Sequence, residues 1–263
     1  MVQRSGRGKR AKHPSMGNHQ RCWIWGRHLV LETLRARVWQ PLEIILADDL
    51  PADARQECLD LLAGRSHPVE IQVLSRETLT KRAGTEHQGY LARMPPFPYS
   101  RLTDVLNPPR KIDAAPLVLI LDSIQDPHNF GTILRSAEVL GVHGVAVGET
   151  HQAEVSSHVA RSSAGAINRI PLVRGDLLSL AADLKSAGVR LAAASEKAER
   201  LASETDLTGP LALVIGNEGR GIHPELLACC DLSVRIPVCG QIGSLNAAAA
   251  AAILCYEARR QRG

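Results

Sequence analysis

The sequence predicts an α/β protein whose C-terminal half contains a mostly parallel sheet. Short apolar runs at 117–121 and 211–215 are typical of strands that are buried on both faces. Segments with helical spacing alternate with such runs, and one of them, 129–140, is followed by Gly141, a residue that often terminates helices. Alternation of this kind favours a parallel sheet covered by helices on both faces.

The remaining elements divide the chain into two structured parts. In the C-terminal part we predict strands at 117–121, 144–147, 189–194, 211–215 and 232–238 and helices at 129–140, 176–187 and 246–260. In the N-terminal part we predict helices at 26–38, 51–62 and after an N-cap at Ser75, and strands at 43–46, 69–74 and 87–94. Prolines recur from 95 to 116, which indicates an extended connection. We therefore expect a tail at 1–21, a domain at 22–95, a linker at 96–115 and a domain at 116–263.

The basic character of the chain lies in its first residues. The formal net charge of +4 includes six Arg and Lys residues within 1–21, where no acidic residue occurs, so the rest of the chain carries a charge of −2. A tail of this composition cannot bury enough apolar surface to fold alone. It is either a flexible arm attracted to nucleic-acid phosphates or a solubilising tail, and the sequence leaves both interpretations open.

Composition also argues against a membrane, secreted or metal-binding protein. No apolar run approaches the ~20 residues that cross a bilayer, and the N-terminus has no secretory pattern. None of the six cysteines forms a C-x-x-C pair, and no histidine spacing completes a zinc site. We expect a cytoplasmic protein with reduced cysteines, no bound metal and no membrane partner.

Three predicted loops carry unusual residues, and each follows an apolar strand. They span 122–135, 216–221 and 236–246, and in an open parallel sheet ligands bind beyond the C-terminal ends of the strands. The glycines of 216–221 are spaced G-x-x-G-x-G rather than G-x-G-x-x-G. This spacing argues against a nucleotide-cofactor oxidoreductase and suggests a backbone that approaches a planar ligand closely.

These three blocks, in this order, resemble the signatures of the SpoU/TrmH family of RNA ribose methyltransferases. Asn129-Phe-Gly-Thr-Ile-Leu-Arg135 is similar to the first motif and Gly216-Asn-Glu-Gly-Arg-Gly221 to the second. Ile236-Pro together with Ser244-Leu-Asn246 is similar to the third. The resemblance covers most of 117–263 and implies the transfer of a methyl group from S-adenosylmethionine to a ribose 2′-hydroxyl of RNA.

The N-terminal part resembles the RNA-binding domain of one branch of this family. Trp25-Gly-Arg-His28 and His87-Gln-Gly89 carry this similarity. The branch includes RlmB-type enzymes that methylate a guanosine of 23S ribosomal RNA, which is therefore the expected substrate. Transfer RNA is an alternative substrate, and a non-catalytic RNA-binding assembly factor is an alternative of another class.

The resemblance also implies a fold and a donor site. Family members have a SPOUT-type parallel sheet whose C-terminal third forms a trefoil knot, and they dimerise through helices near the knot. By carry-over, Gly216, Ile236 and Leu245 contact the donor, and Ser244 and Asn246 shape the same loop. The final helix departs from the family pattern, because alanines occupy 247 and 248 where valine and serine are common.

The implied catalytic residues are Arg135, Asn129 and Glu218. Because arginine stays protonated far above neutral pH, we interpret Arg135 as a group that pairs with an RNA phosphate and stabilises the developing alkoxide. Helical spacing places Arg135 opposite an apolar face. We expect Asn129 to be a site residue that could also cap its helix, Glu218 to orient Arg135 or the substrate, and Glu138 to form an ion pair with Arg135.

Overall fold

The structure of the protein, a computed structural model, describes residues 22–63, 67–106 and 115–263. The basic tail, for which the sequence leaves two roles open, lies outside these residues. The described chain forms a four-stranded sheet followed by a six-stranded sheet, with helices packed on both. The predicted α/β fold class is therefore confirmed.

Most predicted helices and strands are present within a few residues of their expected bounds. The strands are β1 (Cys22–Trp25), β2 (Glu43–Ala47), β3 (Glu70–Leu74), β4 (Tyr90–Met94), β5 (Leu117–Leu121), β6 (Gly144–Gly148), β7 (Leu172–Gly175), β8 (Arg190–Ala194), β9 (Leu211–Ile215) and β10 (Leu232–Val234). The helices are α1 (Arg27–Ala36), α2 (Ala52–Leu62), α3 (Arg76–Ala83), α4 (Leu102–Leu106), α5 (Pro127–Val139), α6 (Ser157–Ser162), α7 (Leu177–Ser186), α8 (Pro224–Cys229) and α9 (Ala247–Arg262). Of the helices in the described ranges, none combines the length and apolar character required to cross a membrane.

The N-terminal sheet has the order β1-β4-β2-β3, and only β2 and β3 run parallel. All side chains of β2 are buried because apolar clusters cover both faces of the sheet. Ile44 packs in the cluster that contains α1, whereas Ile45 packs with Leu79 of α3. Ser75 caps α3 by accepting a hydrogen bond from the Thr78 amide, as its position predicts.

The C-terminal sheet has the order β10-β8-β9-β5-β6-β7, and every neighbouring pair is parallel. The C-terminal ends of all six strands therefore lie along one edge. The central strands β5 and β9 are buried over their whole length, which explains their continuous apolar sequences. This arrangement brings β8, β9 and β10 together at one end of that edge, although their connections along the chain are long.

Sequence reasoning missed several short elements, namely β1, β7, α6 and α8, because four to six residues are too few for a clear periodicity. The predicted strand 232–238 is also too long. β10 ends at Val234, which pairs with Ala194, the last residue of β8, and in the described chain only an isolated bridge between Arg235 and Leu201 follows. The expected extended linker contains helix α4. Its Val105 packs against Gly144 of β6, and a Cβ on that glycine would lie only 2.5 Å from a Val105 methyl carbon.

Side chains join the N-terminal sheet to α6 of the C-terminal part. Arg161 forms an ion pair with Glu86, and its guanidinium carbon lies 5.1 Å from the centre of the Trp25 ring. Arg169, just beyond α6, forms an ion pair with Glu32 of α1 and is the main reason that the pKa of the Glu32 carboxyl lies below its usual value. These contacts bridge the two parts, whose buried apolar residues also share one cluster.

His87 is buried, and only its neutral ring suits the hydrogen bonds that it forms. Its Nδ1 accepts from the Gly89 amide at 2.9 Å, and its Nε2 lies 3.0 Å from Thr80 Oγ1. Burial lowers the pKa of His87, Arg76 lowers it further, and Asp49 acts in the opposite direction. The folded state therefore favours the uncharged imidazole.

This preference predicts a loss of stability in mild acid. The contribution of neutral His87 is complete above the ordinary histidine pKa of about 6.5 and is lost as the pH falls below it. From about pH 7.5 to 5.5 we expect Tm to fall less in His87→Asn than in the wild type, since an amide oxygen can accept the Gly89 bond without titrating. The exposed His67→Asn serves as the control, and an undiminished fall in His87→Asn would contradict the assignment.

Candidate functional site

A cavity opens at the C-terminal edge of the six-stranded sheet, where β8, β9 and β10 end. It is partly open to solvent and encloses about 640 Å³ of space, a volume that includes solvent at its mouth. Apolar side chains form much of its wall, among them Ile236, Leu245 and Leu254. Two acidic residues, Glu196 and Glu218, also belong to its lining. The cavity therefore combines an apolar wall with a few polar groups, as expected for a site that orients a small ligand.

The glycine loop, residues 216–221, forms one side of this cavity and closes on itself. Asn217 and Gly221 exchange two backbone hydrogen bonds of 3.0 and 2.8 Å, and Asn217 Oδ1 accepts from the Gly219 amide at 2.9 Å. A Cβ on Gly216 would lie 2.3 Å from the carbonyl carbon of Gly221. Only glycine fits at 216, and it contributes bare backbone to the cavity.

Glu218 links this loop to the starts of two helices. Its Oε1 accepts from Asn129 Nδ2 at 2.5 Å, from Asn246 Nδ2 at 2.7 Å and from the Ala247 amide at 3.3 Å. Asn246 Nδ2 also donates to Asn129 Oδ1 at 3.1 Å. We call these four residues the Glu218 junction. The junction brings together all three motifs that the sequence singled out.

The two asparagines of the junction have different roles in their helices. Asn246 is the N-cap of α9, and its Oδ1 accepts from the Ala248 and Ala249 amides. The expectation that Asn129 could cap α5 is wrong. That helix begins at Pro127, and Asp126 caps it by accepting from the His128 amide. Because Asp126 is the cap, the Asn129 amide is available to the junction.

Arg135 lies on the exposed face of α5, opposite the buried Ile133 and Ala137, as helical spacing predicts. Its guanidinium makes no hydrogen bond or ion pair with any residue that the structure describes. The expected ion pair with Glu138 is therefore not formed. Glu218 makes no bond to Arg135 either, because its Oε1 accepts from Asn129 and Asn246 in the junction, and its expected role in orienting Arg135 or the substrate stays a prediction. Within the chain, Arg135 is an exposed cation available to an anionic ligand.

The residues expected to contact a methyl donor converge on the cavity. Gly216, Ile236, Ser244 and Leu245 all belong to its lining. Asn246 lies outside the lining. Its hydrogen bonds to Glu218 and to the start of α9 fix the position of the loop that carries Ser244 and Leu245. These positions are far apart in sequence, and the parallel order of β8, β9 and β10 brings them together.

Sequence reasoning missed the contribution of β8 to the cavity. Ser195 and Glu196 follow this strand directly and line the cavity, and Leu254 of α9 closes it from another side. The segment after β8 carries no recognisable motif, so only the rule that ligands bind beyond strand ends could have identified it. That rule needs the strand order, which the sequence did not provide. The described residues contain no group of three or more metal-ligating side chains.

The C-terminal part is a parallel α/β sheet with three loops at its C-terminal edge, which the Glu218 junction joins around one cavity. These features define a class of ligand-binding proteins. Comparison with known proteins identifies the family within this class. Residues 116–256 match the SpoU rRNA Methylase family, and residues 23–100 match a family described as RNA 2′-O ribose methyltransferase substrate binding. The first match spans more than half of the chain. The chain therefore belongs to the SpoU family of RNA methyltransferases.

Individual relatives resemble this chain over nearly its whole length. The putative TrmH family tRNA/rRNA methyltransferase YacO of Bacillus subtilis is 30% identical over 251 residues, which cover 93% of this chain and 98% of YacO. An uncharacterized tRNA/rRNA methyltransferase of Mycolicibacterium smegmatis is 37% identical over 91% of this chain and 76% of its own length. The crystal structure of the SpoU methyltransferase AviRb from Streptomyces viridochromogenes has a TM-score of 0.77 at 27% identity, with 92% of this chain and 90% of AviRb covered. AviRb has also been solved in complex with the cofactor AdoMet.

The geometry of the junction predicts a measurable effect on stability. Asn246→Ala removes both the cap of α9 and a donor to Glu218, so we expect the free energy of unfolding to fall by about 1–2 kcal/mol. Asn246→Ser keeps a cap acceptor but lacks the amide donor, and its loss should be smaller. Urea denaturation followed by circular dichroism measures both losses. Equal stability of Asn246→Ala and the wild type would contradict a structural role for the junction.

Proposed function

We propose that this protein transfers a methyl group from S-adenosylmethionine to the 2′-hydroxyl of a ribose in RNA, preferentially a guanosine of 23S ribosomal RNA, in the cytoplasm. The main support is the Glu218 junction, because it holds all three family motifs around one cavity. Family membership supports the reaction class, and the family matched by residues 23–100 supports an RNA substrate.

The cavity suits the methyl donor. Ile236 and Leu245 offer an apolar wall for the adenine ring, and the bare backbone at Gly216 offers hydrogen-bonding groups at close range. In the proposal these three residues contact the donor, whereas Ser244 and Asn246 hold the loop in shape. The donor supplies an activated methyl group on a sulfonium. The trefoil knot that the family resemblance implies in this region stays a prediction.

The reaction requires in-line attack of the ribose oxygen on the methyl carbon. The O–C bond forms while the C–S bond breaks, the sulfur keeps the electron pair, and the hydroxyl proton passes to an RNA phosphate oxygen or to water. Arg135 remains protonated and makes no bond within the described chain, so we assign it to the RNA phosphate beside the target ribose. There it stabilises the negative charge that develops on the oxygen. Asn129 and Glu218 act as positioning residues, because they hold the loops around the donor.

The domain arrangement supports ribosomal RNA as the preferred substrate. In our proposal residues 22–95 bind RNA, 96–115 connect the two domains and 116–263 carry the reaction. The ion pairs of Arg161 and Arg169 hold the first domain against the second. Transfer RNA remains the alternative substrate. An assembly factor without activity is disfavoured, because the junction is complete and Arg135 is exposed.

We also propose that the protein is a homodimer that associates through α5 and α9. These helices pack against each other, yet both leave apolar side chains in solvent. Val139 at the end of α5 is 73% exposed, and on α9 Ile253 and Tyr256 are 42% and 58% exposed. Ile253 and Tyr256 are three residues apart and share one face of the helix. Exposed apolar side chains on two helices that pack against each other are suited to contact with a second copy of the same chain.

A charge on this surface tests the dimer. We expect the wild type to have the mass of a dimer in light scattering, and Tyr256→Glu to shift it towards monomer because a buried unpaired carboxylate is costly. Val73→Glu, a similar change at an exposed site on β3, is the control and should remain dimeric. A monomeric wild type, or a dimeric Tyr256→Glu, would contradict the proposal.

The reaction itself is tested with labelled S-adenosylmethionine and RNA from a strain that lacks the protein. We expect methylation of ribosomal RNA, mapped to a ribose. Arg135→Ala should lower kcat/KM by about 100-fold or more and leave donor affinity unchanged, and Arg135→Lys should recover little because a planar guanidinium is lost. Glu138→Ala on the same helix is the control. Methylation of transfer RNA alone would overturn the preferred substrate, and full activity of Arg135→Ala would overturn the role of Arg135.

A further inference from the structure

Glu196 lines the cavity but has no part in the reaction described above. It lies in a tight turn directly after β8, and two hydrogen bonds fix that turn. The Ser195 amide donates to the Val234 carbonyl of β10 at 3.0 Å, and Ser195 Oγ accepts from the Lys197 amide at 3.2 Å. The backbone at 196 is therefore held at the edge of the sheet, where the residue forms part of the cavity wall.

The Glu196 carboxylate is available to a ligand. No hydrogen bond or ion pair joins it to another residue of the described chain, and its side chain is exposed. Arg235 lines the same cavity without pairing with it. Glu218, the other acidic residue in the lining, already accepts three hydrogen bonds on one oxygen. Glu196 is thus the lining carboxylate whose hydrogen-bonding capacity is unused.

The position of Glu196 in the sheet indicates which group it would bind. In parallel sheets that bind dinucleotides, a glycine loop follows one strand, and an acidic residue at the end of the adjacent parallel strand accepts hydrogen bonds from the ribose hydroxyls. Here the glycine loop follows β9, and Glu196 follows β8, which lies beside β9 and parallel to it. The spacing of the glycines differs, and here the acidic residue precedes the glycine loop in the chain, but in both cases the two follow neighbouring parallel strands.

We propose that Glu196 binds the 2′- and 3′-hydroxyls of the donor ribose and makes the site selective for ribonucleoside donors. The two carboxylate oxygens are acceptors, and the two vicinal hydroxyls are donors, so the groups match without a change of protonation. This inference rests on the proposed function, because it assumes an adenosyl donor in the cavity. The sulfonium and the α-ammonium of the donor are the other groups that a carboxylate could meet, and the test separates them.

Calorimetric titration of the full-length protein tests the assignment with S-adenosylhomocysteine and its 2′-deoxy form. We expect the wild type to bind the 2′-deoxy ligand about tenfold more weakly. Glu196→Ala should bind S-adenosylhomocysteine about tenfold more weakly than the wild type and should no longer distinguish the two ligands. Glu196→Gln should be intermediate, since an amide offers one acceptor oxygen. Glu199→Ala, in the same loop but outside the lining, is the control and should match the wild type.

Two further ligands, 5′-methylthioadenosine and S-adenosylmethionine, test whether the carboxylate binds another group of the donor. 5′-Methylthioadenosine keeps the ribose but lacks the amino acid, and the proposal expects Glu196→Ala to weaken its binding by the same factor. A loss confined to ligands with the amino acid would assign Glu196 to the α-ammonium, and a loss confined to S-adenosylmethionine would assign it to the sulfonium. Either result, or full discrimination retained in Glu196→Ala, overturns the proposal. A wild type that binds none of these ligands would instead overturn the proposed function.

Discussion

One carboxylate oxygen, Oε1 of Glu218, connects the parts of the molecule that must act together. It accepts hydrogen bonds from the first turn of α5 and from both Asn246 and Ala247 at the start of α9. The helix that carries Arg135, the glycine loop and the loop before α9 are therefore held in one arrangement.

Close backbone packing extends this constraint towards the N-terminal sheet. A Cβ on Gly131 of α5 would lie 1.8 Å from Ser162 Oγ of α6, so the absence of a side chain lets these two helices approach each other. Arg161 of α6 in turn contacts Glu86 and the Trp25 ring in the N-terminal part. A continuous series of contacts thus joins the proposed RNA-binding domain to the helix of Arg135. An RNA held by the first domain would be positioned relative to the proposed active site by α6.

The sequence predicted well those features that depend on local pattern. The buried strands β5 and β9, the helix with Arg135 on its polar face and the cap at Ser75 all follow from spacing or composition. It failed where a distant partner decided the outcome. Asn129 bonds to Glu218 rather than capping its helix, Glu138 does not pair with Arg135, and β10 is shorter than its apolar segment because its neighbour β8 ends beside it.

The sequence alone determined the α/β class, the three motifs and the family, because these are recorded in the order and types of residues along the chain. Only the tertiary structure decided which strand ends are neighbours, since strand order is set by packing between segments far apart in the chain. That order places Glu196 beside the glycine loop, which is the basis of the role that we propose for it and that no motif indicated. It also directs Glu218 to the two asparagines, because hydrogen bonds form between groups that the fold brings within reach.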